Sequence, residues 1–127
     1  MKHLLSTLSL ALASMGAMAQ SDVTVSQSGN AVTLSNGIVT LKIGSNGRVN
    51  TLAYGTNSNL LASSGIYFDY TADKNTGLEP SKVEIVKHTA DYAEVLYSNT
   101  SANLRFQQGY ILRKGVSGVY TYIVANG

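Results

Sequence analysis

The chain has no cysteine, no tryptophan, a single proline (Pro80), and charged side chains at only 13% of its 127 positions. Each scarcity excludes something. Without cysteine no disulfide compensates for a small core, although this does not argue against a secreted or periplasmic location. One histidine outside the first nineteen residues, His88, and no cysteine leave no zinc pattern. Nine Lys and Arg against seven Asp and Glu give a net charge of +2, and no basic run is longer than Arg113-Lys114. Neither nucleic acid nor a membrane surface is therefore expected as a partner. No apolar stretch reaches the roughly 20 residues that a membrane helix needs. Asp22, Asp73 and Glu79 are too dispersed, in loops, to argue for a calcium site. No phosphate-cradling glycine loop and no nucleophile elbow occur, so no cofactor is expected.

What is present begins with MKHLLSTLSLALASMGAMA, residues 1–19. A basic start at Lys2 and His3, an apolar centre and the small-residue pattern Ala17-Met18-Ala19 occur in the order of a secretory signal. Cleavage is expected between Ala19 and Gln20. Residues 20–127 then form one domain at most, or part of one. A chain of that size buries only about two-thirds of its unfolded surface.

Beyond residue 20 no helical period is found. Short segments rich in Val, Ile, Thr and Tyr alternate instead, punctuated by Asn, Ser and Gly, which is the signature of strands. In AVTLSNGIVTLKI (31–43), Asn36-Gly37 predicts a type I′ hairpin pairing Leu34 with Val39 and Val32 with Leu41. In RVNTLAY (48–54) the alternation slips by one residue between Val49 and Leu52, which reads as a β-bulge near Asn50-Thr51. GTNSNLLASS (55–64) reads as a loop with Leu60 and Leu61 tucked inward. IYFDYTA (66–72) reads as a strand and DKNTGLEPS (73–81) as a loop. KVEIVKH (82–88) and DYAEVLYS (91–98) predict a hairpin across Thr89-Ala90. Neither has a purely polar face, which suggests strands covered on both sides or set within a larger sheet. NLRFQQGYILR (103–113) and SGVYTYIVA (117–125) complete about eight strands at short spacing. The fold class expected is all-β, an antiparallel β-sandwich.

The last strand runs almost to Gly127 with tyrosines at Tyr120 and Tyr122 along its edge. Proteins normally cover such an edge. A following strand is therefore expected, and with it a sandwich of which residues 20–127 are the N-terminal part. The plainer alternative is an ordinary C-terminal strand.

NGIVTLKIGSNGRVNTLAYGTNSNLL resembles the opening of the rhamnogalacturonan lyases, polysaccharide lyase family 4, which begin with such a strand, a glycine turn, a strand leading to a tyrosine and a leucine pair. IYFDY is similar to the family's next, aromatic strand. YILRKGVSGVYTYIVA resembles the family's stretch that supplies Tyr110, Arg113, Gly115, Ser117, Gly118, Tyr120 and Tyr122 in order and spacing. The first block is shared with other carbohydrate-active enzymes; the last is more specific. The resemblance implies a galactose mutarotase-like supersandwich at the front of a secreted, several-domain, monomeric enzyme. It implies β-elimination at galacturonate in rhamnogalacturonan I, a pectic polysaccharide. A base removes the C5 proton, cations or donors meet the developing charge, and the bond at C4 breaks. The family's catalytic lysine and histidine lie downstream of the tyrosine stretch, so no catalytic residue is assigned here.

Three residues remain as candidates for holding substrate. Arg113 offers a guanidinium suited to a bidentate uronate pair, or is simply a surface arginine before a turn. Tyr120 and Tyr122 point the same way and offer rings for sugar faces, or belong to the core. Gly115 and Gly118 are read as turn residues. Asp69, between Phe68 and Tyr70, is a weaker candidate for a perturbed carboxylate, and His88 is read as a surface or half-buried residue without a role as base. A non-catalytic carbohydrate-binding or adhesive module, and the front of a glycosidase, fit the same features.

Overall fold

Strand-forming sequence and frequent turns produce ten strands in the computed structural model, which describes residues 20–67, 69–71, 75–100 and 105–126, and of these the side chains of all but 69–71 and 75–76. No helix occurs among the described residues. The strands are β1 (Thr24–Ser28), β2 (Ala31–Ser35), β3 (Val39–Ile43), β4 (Val49–Tyr54), β5 (Asp69–Thr71), β6 (Asn75–Gly77), β7 (Lys82–Thr89), β8 (Tyr92–Asn99), β9 (Arg105–Arg113) and β10 (Val119–Asn126). They form two four-stranded antiparallel sheets, β1-β2-β3-β4 and β10-β9-β8-β7, with β5-β6 as a separate pair. The protein is an all-β antiparallel β-sandwich. Residues 1–19, expected to be a leader, lie outside the described residues.

Alternation decides which side chains meet between the sheets. Val32, Leu34, Leu41, Ile43 and Val49 come from the first sheet, and Ala93, Val95, Tyr97, Phe106, Tyr110 and Leu112 from the second. Two tyrosine hydroxyls cross the gap: Tyr97 donates to the Asn30 carbonyl at 2.7 Å and Tyr110 to the Gly47 carbonyl at 2.8 Å. Burial raises the pKa of both hydroxyls well above the ordinary tyrosine range. Each remains a donor at any physiological pH.

The β2–β3 hairpin differs from its expected form. Leu34 faces Leu41 and Val32 faces Ile43, two residues out of the predicted register. The cause is Asn36, whose φ is not positive, so that a type I′ turn does not form; only Gly37 takes a positive φ, of 80°. Instead the Asn36 Oδ1 accepts the N–H groups of Ile38 (3.0 Å) and Val39 (2.8 Å), building a longer turn around its own side chain. A slip of two keeps every residue on its predicted face, so the core is unaffected.

The bulge in the next strand is where the slip predicts it. Lys42 faces Thr51 and Ile43 faces Val49, leaving Asn50 as the extra residue. A second bulge, at Val86 between Ile85 and Lys87, explains why β7 shows no clean alternation. That strand is an edge, largely exposed, rather than covered on both faces, whereas β8 lies inside the sheet. The β7–β8 turn falls at Ala90-Asp91, one residue later than expected, with Thr89 facing Tyr92. Leu61 packs against the core, but Leu60 stands half-exposed. Two strands had no counterpart in the sequence reading: β1, whose polar TVSQS hides its pairing with β2, and the three-residue β6 inside the expected loop.

Candidate functional site

The outer face of the second sheet collects the residues singled out from the sequence. Tyr92 faces Arg113, Glu94 faces Ile111, and Leu96 faces Gly109 across β8 and β9. Tyr120 faces Ile111 and Tyr122 faces Gly109 across β9 and β10. These side chains alternate with the core residues Ala93, Val95, Tyr110 and Leu112, so they point away from the other sheet. Arg113, Tyr120 and Tyr122 therefore share one face. Neither tyrosine belongs to the core; Tyr120 is 57% exposed.

Glu94 organises this face. The Tyr122 hydroxyl donates to its Oε2 at 2.6 Å and the Tyr92 hydroxyl donates to its Oε1 at 2.5 Å. These two bonds, with the nearby Lys87 ammonium, lower the Glu94 pKa against the opposing effect of burial. Burial and the bond to Glu94 push the Tyr122 hydroxyl up to about 12. Glu94 is thus an ionised acceptor with both oxygens engaged, and Tyr122 a fixed donor. Neither is set up as a base.

The Tyr122 ring reaches this position because it lies across Gly109. A Cβ at Gly109 would stand 2.1 Å from the Tyr122 Cζ, so only glycine allows the ring to lie flat on the sheet. Tyr92 sits between two cations, with the Arg113 guanidinium 5.5 Å and the Lys87 ammonium 5.2 Å from its ring centroid. Arg113 makes no ion pair among the described residues. Arg113, Tyr120 and Tyr122, with Ile111, Val116 and Thr121, line an open concavity of about 650 Å³.

The turn before β10 is fixed from behind. Asn36, 1% exposed, donates from Nδ2 to the carbonyls of Arg113 and Val116, both at 2.8 Å. Lys114 pairs with Asp22 at 2.8 Å. Gly115 takes a φ of 73°, the left-handed conformation expected of a turn glycine. Gly118 does not: its φ is not positive and a Cβ there would meet nothing within 4 Å. The Nε2 of His88 bonds to the Val23 carbonyl at 2.9 Å, tying β7 to the N-terminal segment. The side chain of Asp69, like Asp73, lies outside the described residues.

Glu94, Tyr92 and Gly109 were not picked out by sequence reading. Tyr92 and Glu94 alternate on one side of DYAEVLYS, but only the register across three strands brings Tyr122 and Gly109 to them.

The chain is similar to a rhamnogalacturonate lyase. It is 27% identical to that protein, from Dickeya dadantii (strain 3937), over an alignment 104 positions long that covers 73% of this chain. The match spans 18% of the relative's length, so the chain covers less than a fifth of the protein it matches. No family model and no solved structure matches the chain. Among the described residues, no helix is long and apolar enough to cross a membrane.

Proposed function

We propose that residues 20–127 are the N-terminal part of the galactose mutarotase-like supersandwich of a secreted rhamnogalacturonan lyase, monomeric at full length, and that the outer face of the second sheet holds its pectic substrate. The observation that carries this reading is the similarity to a rhamnogalacturonate lyase. The geometry supports that role: an arginine with no ion pair among the described residues stands beside an exposed tyrosine on one open face.

In the proposed reaction a base takes the proton from C5 of a galacturonate, the C4–O bond breaks, a C4=C5 double bond forms and the leaving oxygen takes up a proton. Arg113 would pair with the uronate carboxylate, and that neutralisation makes the C5 proton more acidic. The free face of Tyr120 would stack on a sugar ring. Tyr122, held by Glu94, would set the floor of the concavity. Glu94, Tyr122 and His88 are all committed to other bonds, so the base is sought in sequence beyond these residues.

Affinity electrophoresis tests the binding role. Rhamnogalacturonan I in the gel is expected to retard the protein more than a neutral glucan does. Equal mobility in both would overturn it. A non-catalytic glycan-binding module would use the same face. Incubating the full-length secreted product with rhamnogalacturonan I separates the two, because only a lyase creates unsaturated uronate ends, which absorb in the ultraviolet. The mass of that product also tests removal of residues 1–19.

A further inference from the structure

A second concavity, of about 240 Å³, opens on the opposite side of the same sheet. The β3–β4 turn, the segment after β6 and the inner face of β9 form it, and Arg48, Tyr67, Glu79 and Gln108 line it. It is smaller than the roughly 300–1,000 Å³ clefts that take drug-sized ligands, and suits a single ring.

Arg48 is unusually well placed for a surface arginine. Its turn is closed by the Gly44 N–H bond to the Arg48 carbonyl (2.8 Å) and by the Arg48 N–H bond to Asn46 Oδ1 (3.1 Å). The buried Tyr110 hydroxyl anchors the same turn to the core through the Gly47 carbonyl at 2.8 Å. The guanidinium stacks 4.2 Å from the Tyr67 ring centroid. Stacking occupies the face of the guanidinium and leaves its in-plane N–H groups available for a carboxylate. Among the described residues Arg48 makes no ion pair. Glu79, in the same wall, is not within ion-pair distance of it.

The other walls are polar. Gln108 is 3% exposed, yet among the described residues its amide makes one long bond, to Thr121 at 3.5 Å, and it borders the cavity. Glu79 is the one described residue other than glycine with a positive φ, 44°. Such strain persists where the surroundings impose it, often at ligand sites. An acceptor carboxylate beside a cation disfavours a dianion such as phosphate and favours a ligand with one carboxylate and several hydroxyls.

We infer that this pocket binds one hexuronate unit, its carboxylate on Arg48 and its hydroxyls on Glu79 and Gln108. Only the choice of galacturonate as the probe rests on the pectic reading; the pocket itself stands apart from the outer face. The test is a titration of the isotope-labelled chain followed by NMR, with galacturonate, galactose and inorganic phosphate as probes. Galacturonate is expected to shift Gly47, the Arg48 Nε–H and the Gln108 amide in a saturable way. Arg48→Gln is expected to weaken that binding about tenfold or more, the loss of one charge-assisted contact. Tyr67→Ala should weaken it too, by freeing the guanidinium. Both residues are exposed, so an unchanged thermal melt checks that the variants fold. Galactose binding as well as galacturonate, tighter phosphate binding, or no shift at these groups would overturn the inference. Absence of these shifts with rhamnogalacturonan binding retained at Tyr120 would sink the pocket alone. The reverse pattern would sink the outer-face reading alone.

Discussion

Glu94 is a charge held by two phenols, and both its titration and theirs follow from that. Its folded pKa is lowered, so its contribution to stability is present above the ordinary carboxylate value of about 4.3 and is lost as pH falls through the lower folded value. Glu94→Gln is therefore expected to flatten the fall of Tm with acid, as calorimetry between neutral and acidic pH would read. The same variant should bring the Tyr122 hydroxyl down from about 12 towards the ordinary value near 10. NMR of ring-labelled tyrosine follows that shift. Gly109→Ala acts on the same pair by a different route. Its new methyl meets the mobile end of the Tyr122 ring rather than backbone, so the ring moves and the overpacking is largely relieved. The expected result is a Tm close to that of the parent with the Tyr122–Glu94 bond lost, again visible in the Tyr122 titration. An unchanged Tyr122 pKa in both variants would contradict the arrangement.

At the scale of elements, one side chain joins two turns. Asn36 accepts two N–H groups of its own turn and donates to two carbonyls of the β9–β10 turn. Asn36→Ala removes all four bonds and leaves the buried Val39 N–H and three part-buried groups without them. A cost of about 3 kcal/mol is expected in denaturant unfolding. Asn36→Asp keeps the two accepted bonds but turns a carboxylate towards two carbonyls, and should be no better. Asn36 also shows what was legible in the sequence and what was not. The Asn-Gly pair marked the hairpin correctly, and alternation put Val32, Leu34, Val39 and Leu41 on one face, which is the core face. The register was not legible, because the Asn36 side chain, bonded to residues 77 and 80 positions away, replaces the turn that Asn-Gly favours locally. The bulge at Asn50 was legible because it shifts the apolar phase within one strand. That at Val86 was not, because an edge strand has little burial to reveal a phase. Arg113, Tyr120 and Tyr122 could be named from sequence, but not their common face with Glu94. That depends on pairing between strands of distant sequence.

For the whole molecule, the sandwich is held by its apolar core and by two hydroxyl bridges between the sheets. Tyr97→Phe with Tyr110→Phe keeps the packed rings, which meet edge to face at 6.3 Å between centroids, and removes only the bridges. A loss of about 1–3 kcal/mol for the pair is expected in urea unfolding. Towards β10 the sandwich is open: Ile123 faces the inner side, opposite Gln108, yet is 50% exposed. The two faces of this one sheet then carry different chemistry, an aromatic and cationic outer surface and a small polar pocket within.

Glycan binding by the outer surface is tested most directly by calorimetric titration with rhamnogalacturonan I oligosaccharides. The parent chain should bind. Tyr120→Ala and Arg113→Gln should each weaken binding about tenfold or more with little change in Tm, because both side chains are exposed and make no hydrogen bond or ion pair among the described residues, Arg113 only facing the Tyr92 ring at 5.5 Å. Failure of the parent to bind, or binding indifferent to both substitutions, would contradict the account.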